Sequence, residues 1–243
     1  MIQADLRRFL TRDDAQLAVH LVARDAPRER EACEAALRDE GIDALLDDAR
    51  LREALVADPR ARRASLALFV HVVVRHALRE TGEDDRRVAD YVACIVVEFA
   101  AGTRAWRIAR HDDEHYETLA ALVADVDRGD PRRTFLVRQH LANHALWLAG
   151  LFPDHVVARR HRRGGPDLDY YDELGRRGFR LAAEHRLAES TGLRPVFERA
   201  GAGFDRLRVA LNRVSDRMLF PHVHTPDRLM RQVHDDVRLG ATS

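Results

Sequence analysis

The chain has 243 residues, with 40 basic and 40 acidic side chains and no lysine, so every basic group is an arginine. That length supports one large domain or two small ones, and the high charged fraction argues against disorder. Balanced charge weighs against a dedicated nucleic-acid binder, and the missing lysine excludes Schiff-base chemistry, pyridoxal-phosphate catalysis and a Walker P-loop.

Apolar positions recur with helical period throughout, and no alternating run bounded by turns marks a strand. Thr11 and Asp13 open a first helix carrying Leu17, Val19 and Val22. Pro27 interrupts it, and a charged helix follows to about Glu40, ended by Gly41. IDALLDDARLREALVAD reads as a single helix. Asp58-Pro59 pairs an N-cap with a proline at the first helical position, and RARRASLALFVHVVVRHALRE runs from there to Gly82.

Acidic residues at 83–85 open the helix containing YVACIVVEFA, and Gly102 with Thr103 break it before RAWRIAR. HDDEHYETLAALVADVD forms a further helix closed by Gly129. Asp130-Pro131 caps the helix of RQHLANHALWLAG, which Gly150 and Pro153 end. A short basic piece, DHVVARRHRR, reaches the loop Gly164-Gly165-Pro166. DLDYYDELGRRGFRLAAEHRLAES follows, then helices near 195–200 and 203–219. Thr225-Pro226 caps a last amphipathic helix with Leu229, Met230, Val233 and Val237 on one side.

The expected fold is all-α, a multi-helix bundle of about nine to ten helices around apolar central helices at 66–78, 88–99 and 135–151. Residues 1–58 read as a charged N-terminal helical cap, 59–221 as the main bundle, and 222–243 as a C-terminal amphipathic helix and tail. Cys33 and Cys94 have no CxxC spacing and read as buried thiols of a cytoplasmic protein. The first residues, MIQADLRRFLTRDD, lack the apolar stretch of a signal peptide, and LALFVHVVV is too short to span a bilayer.

Three clusters carry the possible chemistry. His140, His144 and Trp147 fall on one helical stripe with Asn143 one step round. A metal pair, a ligand pocket and a hydrogen-bonded core network all fit that spacing. His111 and His115 form a second pair among acidic residues, which equally describes a solvated helix start. Arg159, Arg160, Arg162 and Arg163 precede two glycines and suit an anion, a phosphate or simply solvent. Glu98, in an apolar run, calls for a partner such as Arg104 or Arg107. No GxSxG elbow and no GxGxxG after a strand is present.

VRHALRE, DDRRVADYVA, FLVRQHLANHALWLAGLFPDH, RRGGPDLDYYDELGRRGFRLAAEHRLA and VALNRVSDRMLF together resemble an uncharacterised family of bacterial all-helical proteins, over about 70–221. The resemblance implies a helical fold and no particular activity. In that pattern the Arg-x-His step leads into Leu-Gly-Asn or Leu-Gly-Asp and an aromatic. Arg138, His140 and Asn143 fit, whereas Ala142 and His144 depart. The resemblance therefore implies Arg138, His140, Asn143 and Trp147 as a shared site rather than a His140–His144 metal pair.

The reading of function that follows is a non-catalytic module binding a partner protein or a small ligand, with Arg138 on an anion, His140 and Asn143 orienting it and Trp147 as an apolar wall. One rival is a metal- or haem-dependent enzyme using His71, His76, His140 and His144 on the most apolar helices. Another is a nucleic-acid or anion binder through Arg159–Arg163, with steep salt dependence. The amphipathic segment 226–238 makes a homodimer an expectation as well.

Overall fold

Residues 1–100, 107–108 and 130–241 are described in the computed structural model, and among them the fold is all-α, with 13 α-helices and no strand. None of the described helices is long and apolar enough to cross a membrane.

Caps set most boundaries. Helix α1 (Arg12–Ala23) starts at a reciprocal box in which the Thr11 hydroxyl accepts from the Asp14 N–H (3.1 Å) and the Asp14 carboxylate accepts from the Thr11 N–H (2.9 Å). Helix α2 (Pro27–Asp39) begins on its proline and gives way to Gly41 at φ +79°, a left-handed turn that suits glycine.

The expected helix count is too low because several long readings break. IDALLDDARLREALVAD divides into α3 (Asp43–Leu46) and α4 (Ala49–Ala57). Asp48 accepts from the Arg50 N–H (2.8 Å) and caps the second piece, while Asp47 turns aside to bind arginines. Pro59–Arg63 is a separate 3₁₀ turn, and Ser65 caps α5 (Leu66–Glu80) by accepting from the Leu68 N–H (3.1 Å). Asp85 caps α6 (Arg86–Ala100), accepting from the N–H of Arg87 and Val88 (2.7 and 3.0 Å).

Pro153 ends α7 (Pro131–Leu151) by removing an N–H, yet it sits at the first position of α8 (Pro153–Arg163), so the basic piece is itself helical. His185 splits the next reading into α9 (Leu168–Ala183) and α10 (Arg186–Ser190) by accepting from the Leu187 N–H (3.1 Å). Then come α11 (Arg194–Ala202), α12 (Phe204–Val214), a π-helical turn at Ser215–Leu219, and α13 (Pro226–Ala241).

The main core gathers α5, α6, α7, α9, α11 and α12 around Tyr91, Phe99, Phe135, Phe179, Phe197 and Phe204. Each such buried side chain contributes roughly 1.5–3 kcal/mol relative to exposure. Helix α9 lies along α7, and α12 packs on both α7 and α5. GRRG lets α9 approach both neighbours: a Cβ on Gly178 would stand 2.9 Å from that of Ala142 in α7, and one on Gly175 would lie 2.0 Å from the Phe204 ring of α12. Ile2 and Leu6 enter this core too. A second core joins Leu21, Val22, Leu46, Leu51 and Leu55 of α1, α3 and α4 to Leu68 and Val72 of α5.

Helix α13 is mounted with its charged face inward. Arg228, Arg231 and Asp235 are buried, whereas Leu229 (58%), Met230 (57%), Val233 (57%) and Val237 (65%) face out.

Candidate functional site

The stripe on α7 is interior. Asn143 is buried and its side-chain oxygen accepts from the Tyr91 hydroxyl (2.7 Å). That hydroxyl accepts from Gln139 Nε2 (3.0 Å), which also donates to the Ile2 carbonyl (2.8 Å). A polar chain thus ties α7 to α6 and to the N-terminal residues. Breaking it would strand buried groups at about 1–3 kcal/mol each. Tyr91 and Gln139 escape a sequence search because an isolated tyrosine in an apolar run reads as ordinary core.

His140 and His144 are buried against Phe99, with ring centroids 5.4 and 6.4 Å from it and 6.2 Å from each other. Trp147 continues the row, 5.8 Å from His144, 5.7 Å from Phe99 and 5.0 Å from Phe152. Burial pushes the His144 pKa down to about 4, so this imidazole is neutral near neutrality. Arg138 stands apart. Two residues from His140 along a helix is about 200° around the axis, and its carbonyl abuts Gly178 of α9. The structure therefore brings together His140, His144 and Trp147 and links Asn143 to Tyr91, while helix geometry sets the Arg138 Cα on the opposite side of α7 from them.

The other histidines of the metal or haem reading are dispersed. His71 Nδ1 lies 3.5 Å from Asp90 Oδ1, and His76 Nε2 lies 3.1 Å from the Leu46 carbonyl, which can only accept, so that nitrogen carries the proton. Among the described residues no three His, Cys, Asp or Glu side chains form a group able to hold a metal ion. His111, His115 and Arg104 lie outside the described residues, and Glu98 and Arg107 are half-buried. Both cysteines are buried and free, and burial pushes the Cys94 thiol up to about 12, far from a reactive thiolate.

Arg159, Arg160, Arg162 and Arg163 are exposed near the C-terminus of α8, the last three in its final turn, where cations complement the helix dipole. Arg160 pairs with Asp167 (3.1 Å) and Arg162 donates to the Ala158 carbonyl (3.2 Å). Gly164, at φ +63°, donates its N–H to the Arg160 carbonyl (2.9 Å), so that N–H serves the helix cap.

A charged network that the sequence reading missed binds the C-terminal helices. Arg208 is fully buried and donates to Asp172 (2.8 Å), Asn212 (2.8 Å) and Asp235 (2.9 Å). Asn212 donates to the carbonyls of Ala149 (2.8 Å) and Gly150 (2.7 Å), and Ser215 to that of Leu151 (2.7 Å). These are last-turn carbonyls of α7, one of them orphaned by Pro153, which has no N–H. Burial raises the Asp172 pKa even though the Arg208 charge opposes it. Arg208 and Asn212, four apart among Leu207, Val209 and Leu211, were a readable signal.

A preformed groove lies elsewhere. It has a volume of about 370 Å³ and an apolar lining from Val56, Ala57, Val73, Ala77, Val214 and Met218, between α4, α5 and the π-helical turn. Glu80 ties its walls together, accepting from Arg52 of α4 and from Arg217 of the turn (2.9 Å). Arg213 donates to the Glu80 carbonyl (3.2 Å). Burial works to raise the Glu80 pKa, but the hydrogen bonds and charges of Arg217 and Arg52 hold it below the ordinary carboxylate value. A larger depression of about 820 Å³ between α1 and α2 is rimmed by Arg12, Asp13, Arg30, Glu34 and Arg63. The smaller groove is the better candidate, because an apolar lining supplies binding energy whereas charged rims remain hydrated.

The chain matches no protein-family model, no curated protein and no solved structure.

Proposed function

We propose that this is a non-catalytic binding protein taking a small, compact apolar molecule with an acidic group in the groove between α4, α5 and the π-helical turn. The observation that carries the reading is the groove itself: an apolar lining with three arginines, Arg52, Arg213 and Arg217, against two lining carboxylates, Glu53 and Glu80. Its volume falls in the lower part of the range of roughly 300–1,000 Å³ usual for ligand pockets. The Glu80 bridges hold two walls in place before a ligand arrives, which lowers the ordering cost of binding. This moves the ligand site away from Arg138, His140, Asn143 and Trp147, whose surroundings favour a structural network.

Anilinonaphthalene sulfonate has the required chemistry, an apolar aromatic body with one anionic group, and its fluorescence reports binding directly. Binding to the full chain should fall at least about tenfold in Met218→Trp, which fills the groove, and in Arg213→Ala/Arg217→Ala, which removes the cations. Val233→Asp, on the outer face of α13, should leave it unchanged. Unaltered binding in both groove variants would refute the reading.

A further inference from the structure

The inverted mounting of α13 sets a second problem, independent of the groove, of which α13 forms no wall. Its inner face is committed. Arg228 donates to Asp154 (2.9 Å) and to the carbonyls of Phe220 (2.8 Å) and Val223 (2.9 Å). Arg231 donates to Asp216 (2.8 Å), and Asp235 accepts from Arg208 (2.9 Å). Rolling the helix to bury its apolar face would break these charge-assisted bonds, so the apolar face stays outside.

That face is a seam. Pro226, Met230, Val233 and Val237 follow one another at steps of four, three and four, the spacing with which two helices interlock. The seam also complements itself. Asp227 and Arg238 lie on one flank, since eleven residues bring a helix round to within about 20°. Both are more than half exposed, Asp227 63% beside His161 (3.7 Å) and Arg238 51% paired with Asp169 (3.1 Å) and Asp172 (3.9 Å), and a carboxylate and a five-donor guanidinium can each take a further partner. A two-fold axis between Gln232 and Val233 sets Asp227 level with Arg238 of a second copy, and the reverse. In the same register Met230 falls between Val237 and Val233 of the second copy, and Val233 between Val233 and Met230. The helix dipoles then run antiparallel, which is favourable.

We infer that α13 pairs antiparallel with α13 of a second copy of this chain, closing a symmetric homodimer. The 16-residue helix is about 24 Å long, at about 1.5 Å per residue. A contact of that length sits at the low end of specific interfaces, so the dimer forms in a concentration-dependent way. Leu219, Phe220 and Val223, exposed in the turn that leads into α13, offer further apolar area.

Sedimentation velocity on the full chain, from about 1 to about 300 µM, tests this directly. The expected result is a monomer–dimer equilibrium that Val233→Asp weakens by at least about 100-fold, since each dimer then buries two charges. The melting temperature of dilute Val233→Asp should match that of the dilute parent protein, because the residue is exposed in the monomer. Register is read by oxidising mixed Met230→Cys and Val237→Cys proteins: an antiparallel pair cross-links one variant to the other, whereas a parallel pair cross-links each to itself. A monomer at every concentration, a dimer indifferent to Val233→Asp, or self-linked cysteines would each overturn the inference. So would a monomeric chain that binds anionic phospholipid vesicles and loses that binding in Val233→Asp, which would assign the face to a lipid surface.

Discussion

Replacing Asp47 with asparagine removes the carboxylate through which the break between α3 and α4 is fastened to the central helices. Asp47 accepts from Arg75 Nε (2.7 Å) and from Arg86 Nη2 (2.8 Å), and its backbone carbonyl accepts from Arg79 (3.2 Å). Burial works to raise its pKa, but the hydrogen bonds and charges of Arg75 and Arg86 outweigh it and lower the value from 3.8 to about 2. At about 1.4 kcal/mol per pH unit, that drop corresponds to roughly 2 kcal/mol of folding stability. The side chain is only 21% exposed, so solvent screening removes little of it.

The folded state holds the ionised form more tightly than the unfolded chain does. Its contribution is therefore complete above about pH 4 and is lost as pH falls towards about 2. Urea unfolding followed by circular dichroism should find Asp47→Asn about 2 kcal/mol less stable than the parent at pH 7. The gap should narrow steadily below about pH 4. A loss under about 0.5 kcal/mol at pH 7, or a gap that persists at about pH 2, would refute the reasoning.

Arg208→Met leaves Asp172 and Asp235 facing each other in a buried space, and urea unfolding should show a loss of about 3–5 kcal/mol. Adding Asp172→Leu and Asp235→Leu to that variant should recover much of it, since no buried charge then lacks a counter-ion. Hydrogen exchange in the single variant should show α13 losing protection before the central helices do. For His144, burial holds the folded pKa near 4, below the ordinary 6.5, so the unfolded chain binds the proton first as pH falls. Its neutral state contributes fully above about pH 6.5, and up to about 3 kcal/mol is lost as pH falls towards about 4. His144→Leu should flatten that part of the stability–pH curve, and an unchanged slope would contradict the assignment.

Hydrophobic period, proline and glycine placement and acidic N-caps carry local information, and they were enough to read an all-α chain with its apolar helices at 66–78, 88–99 and 135–151. Caps such as Thr11 and Asp130 act within three residues of themselves, so sequence spacing exposes them. The extra breaks did not show, because Asp47 leaves the helix for Arg75 and Arg86, which are distant in sequence. The stripe of His140, Asn143, His144 and Trp147 was visible as periodicity. Whether it faced a ligand or other side chains depended on Tyr91, Phe99 and Gly178 arriving from elsewhere. The groove at Val56, Val73 and Met218 has no sequence signature, since its walls come from three separated helical segments. Periodicity likewise marked α13 as amphipathic but not which face turns inward. That was decided by Asp154, Asp172, Arg208 and Asp216, because the buried charges Arg228, Arg231 and Asp235 needed these partners more strongly than four apolar side chains needed shelter from water.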